Sequence, residues 1–376
     1  MIVPKKIIYI VSSINKSLAF EWTVKFLDRK KYNLIFILLN PASSVLEDFL
    51  VDNNVIVYRL KFTGKKDMLS CFFNIYKILK KESADIVHAH LLDASLIGLS
   101  AAYFAGIKMR IYTRHNSTLH HLFFPRAIWY DKFINAFSTD IVSISNVVTD
   151  VLVRLENVNP TKIHLTNHGF VFEFPEDITA ERKMALSEKY HLNYTQRPVI
   201  GVISRFMEWK GIQYTLSAFQ EILKKYPKAI LLLANAQGPY EKVLQTQLDA
   251  LSPDSFRKIP FEEDVFGLYS LMDVFVHVPI DTAIEAFGQI YVEALAMEVP
   301  SVFTLSGIAH EFIKDNVNAL VVDYKNSIQI QHAVERLLEN DELRNLLAKQ
   351  GREDVKDRFR LDHMITSLEM LYDKKD

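Results

Sequence analysis

The sequence has little of what stabilises secreted proteins or spans membranes. It contains one cysteine, Cys71, among 376 residues. No disulfide can therefore form within the chain, which is typical of a reducing cytoplasm. No run of about 18 apolar residues occurs, the length that a membrane-spanning helix needs. The nearest approach, residues 94–107, is interpreted as a buried helix. The N-terminal run MIVPKKIIYIVSSI has no small-residue cleavage site and is interpreted as a first strand.

Two further absences restrict the classes of function. The chain has 44 Lys and Arg against 45 Asp and Glu, a formal net charge of −1. This balance does not suggest a nucleic-acid partner. Neither GxGxxG nor GxxxxGK[ST] occurs in the sequence. Their absence argues against a dinucleotide-dependent oxidoreductase, one of the alternatives for an α/β chain, and against a Walker-type nucleotide site.

Short apolar, β-rich runs alternate with helical patterns along most of the chain. The first half contains seven strand-like runs: KIIYIVSS, NLIFILLN, VIVYRL, DIVHAH, MRIYTRH, DIVSIS and KIHLTNHG. After a charged stretch, five more follow: PVIGVISRF, AILLLANA, VFVHVP, PSVFTL and ALVVDY. These runs are continuous rather than alternating, which indicates parallel strands covered by helices on both faces.

The pattern predicts an α/β protein with two Rossmann-like parallel-sheet domains that face a cleft. We place the first domain at residues 1–172 and a linker region with one exposed helix at 173–198. The second domain is predicted at 199–358. A C-terminal helix at 359–376 could cross back to the first domain.

A cationic loop follows the first strand of the second domain. Arg205 and Lys210 lie between a strand that ends near Ser204 and a helix that begins near Gly211. A helix N-terminus with two cations beside it is a favourable site for a diphosphate. The alternative is that both are solvated surface cations.

A second motif, IEAFGQIYVE at 284–293, contains two carboxylates. Glu285 is predicted in a loop and Glu293 in the helix that follows it. Gly288 lies between them and lets the backbone approach a ligand closely, because it has no Cβ. Two such carboxylates suit pairs of vicinal hydroxyls, or they could form an acid/base pair. The alternative is that Glu293 is a solvated helix residue.

The two motifs together resemble those of the GT-B retaining glycosyltransferases of family 4, also called glycosyl transferases group 1. GVISRFMEWKG is similar to that family's strand, Arg/Lys loop and Gly-initiated helix. EAFGQIYVEALAMEVPSVFTLSGIAHEFI is similar to its E-x-F-G-x4-E-A signature and to the Gly loop that follows. The resemblance covers nearly the whole chain and is more specific in the C-terminal half.

The resemblance implies a role for each matched position. Arg205 and Lys210, with the helix that starts at Gly211, would bind the donor diphosphate and stabilise the leaving charge. Glu285 would hold hydroxyls of the donor sugar, and Glu293 those of the ribose. Three consecutive residues would offer backbone N–H groups to the sugar and phosphates: Phe287, Gly288 and Gln289.

In the first half the similarity is looser. His115, in YTRHNST, falls where the family often has a histidine near the sugar. The first loop, SSINKSLAFEW, has no glycine where the family often has several. We assign Ser13 and Asn15 of this loop, together with His90, to the acceptor side. His88 and His90 could form a metal pair at the period of a strand, but a packed strand-end histidine is the preferred interpretation. No metal or cofactor is expected.

Residues 119–137, LHHLFFPRAIWYDKFINAF, mix aromatic side chains with Arg and Lys. They could form an amphipathic surface that meets a bilayer holding a lipid-linked acceptor. The preferred alternative is a helix pair packed on the sheet. A lysine cluster could assist contact with a membrane, or form a solvated helix face: Lys65, Lys66, Lys77, Lys80 and Lys81.

The resemblance therefore implies transfer of a hexosyl or N-acetylhexosaminyl group, with retention, from a nucleoside diphosphate. A UDP-sugar is favoured as donor, and the acceptor is expected to be a glycan or lipid-linked glycan in surface-polysaccharide assembly. The expected location is the cytoplasm, at the inner face of the membrane if the acceptor is lipid-linked. Two alternatives are a sugar-nucleotide epimerase of GT-B fold and a non-catalytic partner subunit. The oligomeric state stays open.

Overall fold

The computed structural model describes residues 3–192 and 197–374. Residues 193–196 of the predicted linker region and residues 375–376 of the predicted C-terminal helix lie outside the described residues. The chain divides into two compact units. The first comprises Met1–Phe170 together with Phe359–Asp376, and the second comprises Val171–Arg358. The described part of the predicted linker region belongs to the second unit.

The first unit is built on seven parallel strands in the order β3-β2-β1-β4-β5-β6-β7. All seven strand-like runs of the first half are present, and the α/β class is confirmed. The central strands are buried along nearly their whole length because both of their faces are covered. The strands are β1 (Lys5–Ser12), β2 (Tyr32–Asn40), β3 (Ile56–Lys61), β4 (Ile86–His90), β5 (Met109–Arg114), β6 (Asp140–Ser143) and β7 (Ile163–Leu165).

Helices cover both faces of this sheet. They are α1 (Leu18–Phe26), α2 (Val45–Asp52), α3 (Met68–Glu82), α4 (Leu92–Phe104), α5 (Leu119–Phe123), α6 (Ile128–Phe137) and α7 (Asn146–Asp150), which a π-helical turn at Val151–Leu155 continues. The apolar stretch predicted to be a buried helix is α4, in which every residue from Ala94 to Ala102 is buried. Within the described ranges, no helix is both long and apolar enough to cross a bilayer.

The last helix of the chain completes the first unit. Apolar side chains between Leu361 and Tyr372 join the buried cluster that includes Tyr9 and Val11 of β1. The Tyr372 hydroxyl lies 2.5 Å from the Tyr9 hydroxyl and 2.7 Å from His88 Nδ1. These buried polar contacts fix the position of the helix, because an unmatched polar group in a core is costly. In chain order this helix is α15 (Leu361–Tyr372).

The second unit contains six parallel strands in the order β10-β9-β8-β11-β12-β13. The strands are β8 (Val199–Ile203), β9 (Ile230–Ala234), β10 (Phe256–Ile259), β11 (Val274–His277), β12 (Ser301–Phe303) and β13 (Leu320–Val321). Strand β10 is not among the five predicted runs. It lies at the edge of the sheet, where FRKI is mostly half-buried, so it has no continuous apolar run.

Helices of the second unit connect these strands: α8 (Ala180–Lys189), α9 (Ile212–Lys225), α10 (Glu241–Leu248), α11 (Val265–Tyr269), α12 (Gln289–Ala296), α13 (Ser327–Glu339) and α14 (Asp341–Lys356). From β8 the chain builds β9 and β10 on one side, then returns to place β11 on the other. The loops that follow β8 and β11 therefore start side by side at the carboxyl edge. This reversal point is where ligands bind in open α/β sheets.

Candidate active site

The loop after β8 is shaped by one glycine. Gly211 has φ +74°, in the left-handed region, and it precedes α9. A Cβ at this position would lie 1.8 Å from the Val278 carbonyl oxygen, so no side chain fits. The chain therefore passes close to the end of β11 before α9 begins. This close approach brings Lys210, which the sequence assigns to the diphosphate site, next to the loop that follows β11.

Lys210 and Glu285 form an ion pair in which Lys210 Nζ donates to Glu285 Oε1 at 2.5 Å. His277, the last residue of β11, places Nε2 at 3.3 Å from the same oxygen. Burial by itself raises the pKa of the Glu285 carboxyl. The ammonium of Lys210 and the imidazole of His277 outweigh burial and hold that pKa well below its usual range. Glu285 is therefore ionised at neutral pH.

The backbone of the Glu285 loop is held by the loop after β12. The Glu285 amide donates to Ser306 Oγ at 3.1 Å, and the Ile308 amide donates to the Phe287 carbonyl at 2.9 Å. Gly307 has φ +59°, and a Cβ there would lie 2.7 Å from the Phe287 carbonyl oxygen. The close packing of these two loops fixes the direction of the Glu285 side chain.

Gly288, with φ +86°, ends this loop and precedes α12. Glu293 lies on the second turn of that helix. The Tyr269 hydroxyl donates to Glu293 Oε2 at 3.3 Å, and no cation in the described ranges pairs with this carboxyl. Burial raises the pKa of Glu293 to about 7. The two carboxyls of the motif thus differ: Glu285 is paired with a cation, and Glu293 is not.

Arg205 differs from Lys210 in its surroundings. Its side chain is exposed, and its guanidinium forms no hydrogen bond or ion pair with another described residue. It follows Ser204 directly, at the carboxyl edge of the sheet. A guanidinium in this position is accessible to an anionic ligand, and its planar fork matches phosphate oxygens.

In the first unit, His115 follows β5 and belongs to a series of neighbouring imidazoles, of which His90 is buried and His115 and His168 are half-buried. His115 Nε2 lies 3.2 Å from His90 Nδ1, so one of the two nitrogens donates a hydrogen bond. The ring of His168 stacks on His115 with centroids 5.9 Å apart. Burial lowers the pKa of His115 to about 3 and that of His168 to about 4. These rings are therefore neutral at physiological pH.

Both ring nitrogens of His88 are engaged, with the Tyr372 hydroxyl at 2.7 Å and with Thr113 Oγ1 at 2.8 Å. His88 thus has a structural role, and its nitrogens are not directed at a ligand. Within the described part of the chain, no group of three or more His, Cys, Asp or Glu residues could hold a metal ion.

A buried ion cluster supports the start of the His115 loop. Arg114 is almost fully buried and contacts Asp131 at 2.7 Å and Glu156 at 2.5 Å. Its Nε also donates to the Asn116 carbonyl at 3.0 Å, on the far side of His115. Sequence reasoning missed this cluster. The acidic partners are distant along the chain, so only the arginine beside the histidine was visible.

Ser13 and Asn15 line a cavity of about 600 Å³ at the carboxyl ends of β1, β2 and β3. Asn40 holds the loop after β1, since it accepts from the Ile14 amide and donates to the Ile14 carbonyl. Ser13 has φ +52°, so a serine occupies the left-handed conformation that a glycine would adopt without strain. The third acceptor-side candidate, His90, contacts His115 and is not among the residues that line this cavity.

Two family models match the chain. The model for glycosyl transferases group 1 matches residues 184–354, and the model for glycosyltransferase family 4 matches residues 23–173. The chain belongs to this family of glycosyltransferases. The cationic loop and the carboxylate motif of the second unit both lie within residues 184–354. The enzyme class predicted from those motifs is therefore confirmed.

Several named glycosyltransferases are similar to this chain. The capsular polysaccharide biosynthesis glycosyltransferase CapM of Staphylococcus aureus is 26% identical over 82% of this chain and 83% of its own length. The UDP-Gal:alpha-D-GlcNAc-diphosphoundecaprenol alpha-1,3-galactosyltransferase of Escherichia coli is 21% identical over 82% and 79%. The crystal structure of Anabaena HepE with UDP and glucose superposes with a TM-score of 0.83, at 18% identity over 98% and 100%. This likeness confirms the GT-B fold.

Proposed function

We propose that the enzyme transfers a hexosyl or N-acetylhexosaminyl group from a UDP-sugar to a hydroxyl group, with retention at the anomeric carbon. The observation that carries this proposal is the Lys210–Glu285 pair, together with the exposed Arg205 in the same loop as Lys210. These side chains combine a cationic site for phosphate with an ionised carboxylate that can accept hydrogen bonds from sugar hydroxyls. Both lie where the strand order of the sheet reverses. The acceptor would be a glycan or lipid-linked glycan in surface-polysaccharide assembly, as the name of the CapM relative suggests.

The donor diphosphate would lie between Arg205 and Lys210, at the N-terminus of α9. When the bond to the sugar breaks, negative charge develops on the diphosphate. Fixed cations and the positive end of a helix stabilise that charge most in a site with little water. These side chains would supply the charge neutralisation, so we propose that no metal or cofactor is required.

Glu285 and Glu293 would each accept hydrogen bonds from hydroxyl groups. The ionised carboxylate of Glu285 can accept two or more such bonds, and bonds to a charged acceptor are stronger than neutral ones. Glu285 would bind hydroxyls of the donor sugar and Glu293 the vicinal hydroxyls of the ribose. The backbone of Phe287, Gly288 and Gln289 would contact the sugar and phosphates, because Gly288 leaves room for close approach.

No residue of the second-unit site stands out as a covalent nucleophile. We therefore propose front-face attack, in which the bond from the acceptor oxygen to the anomeric carbon forms as the bond to the phosphate oxygen breaks. The acceptor proton passes to the departing phosphate oxygen. His115 is the catalytic candidate of the first unit, and as a neutral imidazole it would donate or accept a hydrogen bond without adding charge.

UDP is the favoured donor nucleotide for two reasons outside this chain: the HepE crystal contains UDP, and the Escherichia coli relative is named for UDP-Gal. That relative is also named for a diphosphoundecaprenol acceptor, which is a lipid. We propose by analogy that this enzyme works in the cytoplasm at the inner face of a membrane.

The donor is identified by thermal unfolding with UDP, GDP, CDP and NAD. A ligand at a hundred times its dissociation constant adds about 2.7 kcal/mol to the state that binds it. For the second unit this corresponds to a rise of roughly 5–10 °C. A shift with UDP that Glu293→Ala abolishes is the expected result. A shift with NAD alone would overturn the proposal.

Transfer is tested with the donor so identified and a panel of glycan acceptors. Arg205→Ala should lose on the order of 3 kcal/mol of transition-state stabilisation, about a hundredfold in rate. Lys228→Ala, which removes another exposed cation of the second unit, should keep full activity. The anomeric configuration of the product, read by NMR, tests retention. Conversion of the donor without an acceptor would instead indicate an epimerase.

A further inference from the structure

Three neighbouring helices of the first unit expose large aromatic side chains. Phe73 on α3 is 53% exposed, Phe104 on α4 is 63% exposed, and Trp129 on α6 is 73% exposed. Isolated apolar side chains on a surface need no explanation, but a contiguous patch usually marks an interaction site. These side chains therefore indicate an interaction site only if they are contiguous.

They do form one patch. Ring centroids lie 4.4 to 5.9 Å apart along the whole series Phe73–Phe72–Phe104–Tyr103–Phe137–Phe133. Trp129 is one helical turn before Phe133 on α6, so it extends the same face. We name this feature the α3–α4–α6 surface. It reaches from one side of the three helices to the other without a break.

Exposed cations far outnumber exposed carboxylates on the segment of the chain that carries this surface. Residues 65–137 are all described, and they contain eight exposed Lys or Arg side chains against one exposed carboxylate, Asp85. Lys77, Lys80 and Lys81 extend α3 beyond Phe73, and Lys132 Nζ lies 5.2 Å from the Trp129 ring centroid. The whole chain has a net charge of −1, so this asymmetry is local.

We propose that the α3–α4–α6 surface binds the headgroup layer of an anionic bilayer. Aromatic rings favour the depth at which lipid headgroups meet hydrocarbon, and nearby lysines are attracted to anionic lipids. The inference deepens the membrane location in the proposed function, on which it rests, by naming the surface and the lipid charge. The inference does not depend on the identity of the sugar donor.

A second copy of the chain fits this surface less well. Self-association through one patch is isologous, so it would bring the lysines of one copy close to those of the other. Like charges that lose their water repel each other more strongly than they do in solvent. A surface of anionic phosphates has the opposite charge and no such conflict.

Vesicle flotation with the full chain tests the proposal. We expect strong binding to vesicles of phosphatidylcholine with phosphatidylglycerol, weak binding to phosphatidylcholine alone, and loss of binding at high salt. Trp129→Ala should lower the partition coefficient about tenfold. Lys77→Glu should lower it at least about fivefold. Matched controls in the second unit, Phe261→Ala at a 68% exposed aromatic and Lys228→Glu, should change little.

Thermal unfolding and the UDP shift are measured on every variant, so that loss of folding or of donor binding is separated from loss of vesicle binding. No binding to either vesicle, with the UDP shift intact, would overturn this inference and leave the proposed donor chemistry standing. Equal losses in the control variants would also overturn it. If Trp129→Ala instead dissociates a dimer and leaves vesicle binding unchanged, the surface belongs to a second copy and the proposal is wrong.

Discussion

Glu285 and Glu293 show how the partner of a side chain, more than its burial, decides its charge. Burial raises the pKa of both carboxyls, but Lys210 and His277 lower that of Glu285 well below its usual range. Among the described residues, Glu293 has a tyrosine hydroxyl but no cation as a partner, and its pKa rises to about 7. One carboxyl of the motif is therefore permanently charged, and the other titrates near neutrality.

The raised pKa of Glu293 makes a prediction about stability. Its value of about 7 lies above the ordinary 4.5, so the folded state binds more protons than the unfolded state between these pH values. Stability is therefore lost as the pH rises from 4.5 to 7. Glu293→Gln removes this loss and should be more stable than wild type by on the order of 3 kcal/mol at pH 8. Urea unfolding at pH 8 and near pH 4 measures the difference, which should vanish at the lower pH. An equal difference at both pH values would contradict the assignment.

A second residue-scale prediction concerns His90 and the imidazole of His115. Their ring nitrogens are 3.2 Å apart, so His90 fixes which nitrogen of His115 carries the proton. His90→Leu removes this contact and should lower kcat at least about tenfold, because a misplaced hydrogen-bonding group at the reacting sugar stabilises the transition state less. His90→Asn, whose amide can reach the position of Nδ1, should recover part of the loss. UDP affinity should stay unchanged in both variants. Equal rates for the two variants would count against the positioning role.

The sequence indicated the proposed ligand-binding residues of this site better than the residues that support them. Lys210 and Glu285 each belong to a short sequence motif, and both motifs were assigned to the same donor site. The contact between the two side chains agrees with that assignment. His277 and Tyr269 reach the carboxylates of Glu285 and Glu293 from other segments of the chain, and Ser306 accepts a hydrogen bond from the Glu285 backbone amide. Their contacts depend on strand register and loop packing, which no short stretch of sequence specifies.

At the scale of elements, continuous apolar runs predicted strands well where both faces of a strand are covered. The central strands of both sheets follow this rule. The edge strands β3 and β7 of the first unit are partly exposed and were predicted all the same, from VIVYRL and KIHLTNHG. The edge strand β10 was not predicted, because two of the four residues of FRKI are charged. The glycines at 211, 288 and 307 were visible as residues, but their left-handed backbone conformations and the close contacts that leave no room for a Cβ were not.

Gly211 gives the prediction at this scale. Gly211→Ala places a Cβ against the Val278 carbonyl, so the loop after β8 must move. Gly106→Ala is a matched control, because Gly106 has φ +76° but nothing within 4 Å of the added Cβ. The control should cost about 1–2 kcal/mol from its backbone conformation alone. Gly211→Ala should cost clearly more in urea unfolding, and it should also weaken UDP binding. Similar unfolding costs for the two variants would show that the close approach to β11 is unimportant.

At the scale of the whole chain, the sequence indicated two similar α/β regions separated by a charged stretch. The structure divides the chain after Phe170. The described part of the stretch packs within the second unit, where Arg182 bridges Glu173 and Asp264. Composition alone did not reveal this packing, because the acidic partners lie on both sides of the arginine in sequence and one of them is far away.

Tyr372 tests how strongly the returning helix α15 holds the first unit together. Its hydroxyl contacts both Tyr9 and His88 in the core. Tyr372→Phe leaves these two buried groups without a partner and should cost about 1–3 kcal/mol per group in the free energy of unfolding. Tyr130→Phe, at an exposed tyrosine, should cost close to nothing. The UDP shift should survive in both variants, since the proposed donor site lies in the second unit. A Tyr372→Phe variant as stable as wild type would show that α15 is held by apolar packing alone.

The return of the chain to the first unit also sets the order of events on the ribosome. Strand β1 emerges first, but α15, which covers part of its core face, emerges only after all of Val171–Arg358 has been made. At about 5–20 residues per second, that segment takes roughly 10–40 seconds to synthesise. Throughout this interval the first unit has an uncovered apolar face around Tyr9 and Val11. The unit that starts folding first is therefore the last to finish, and a nascent chain that stops at Arg358 would present that face to chaperones and proteases.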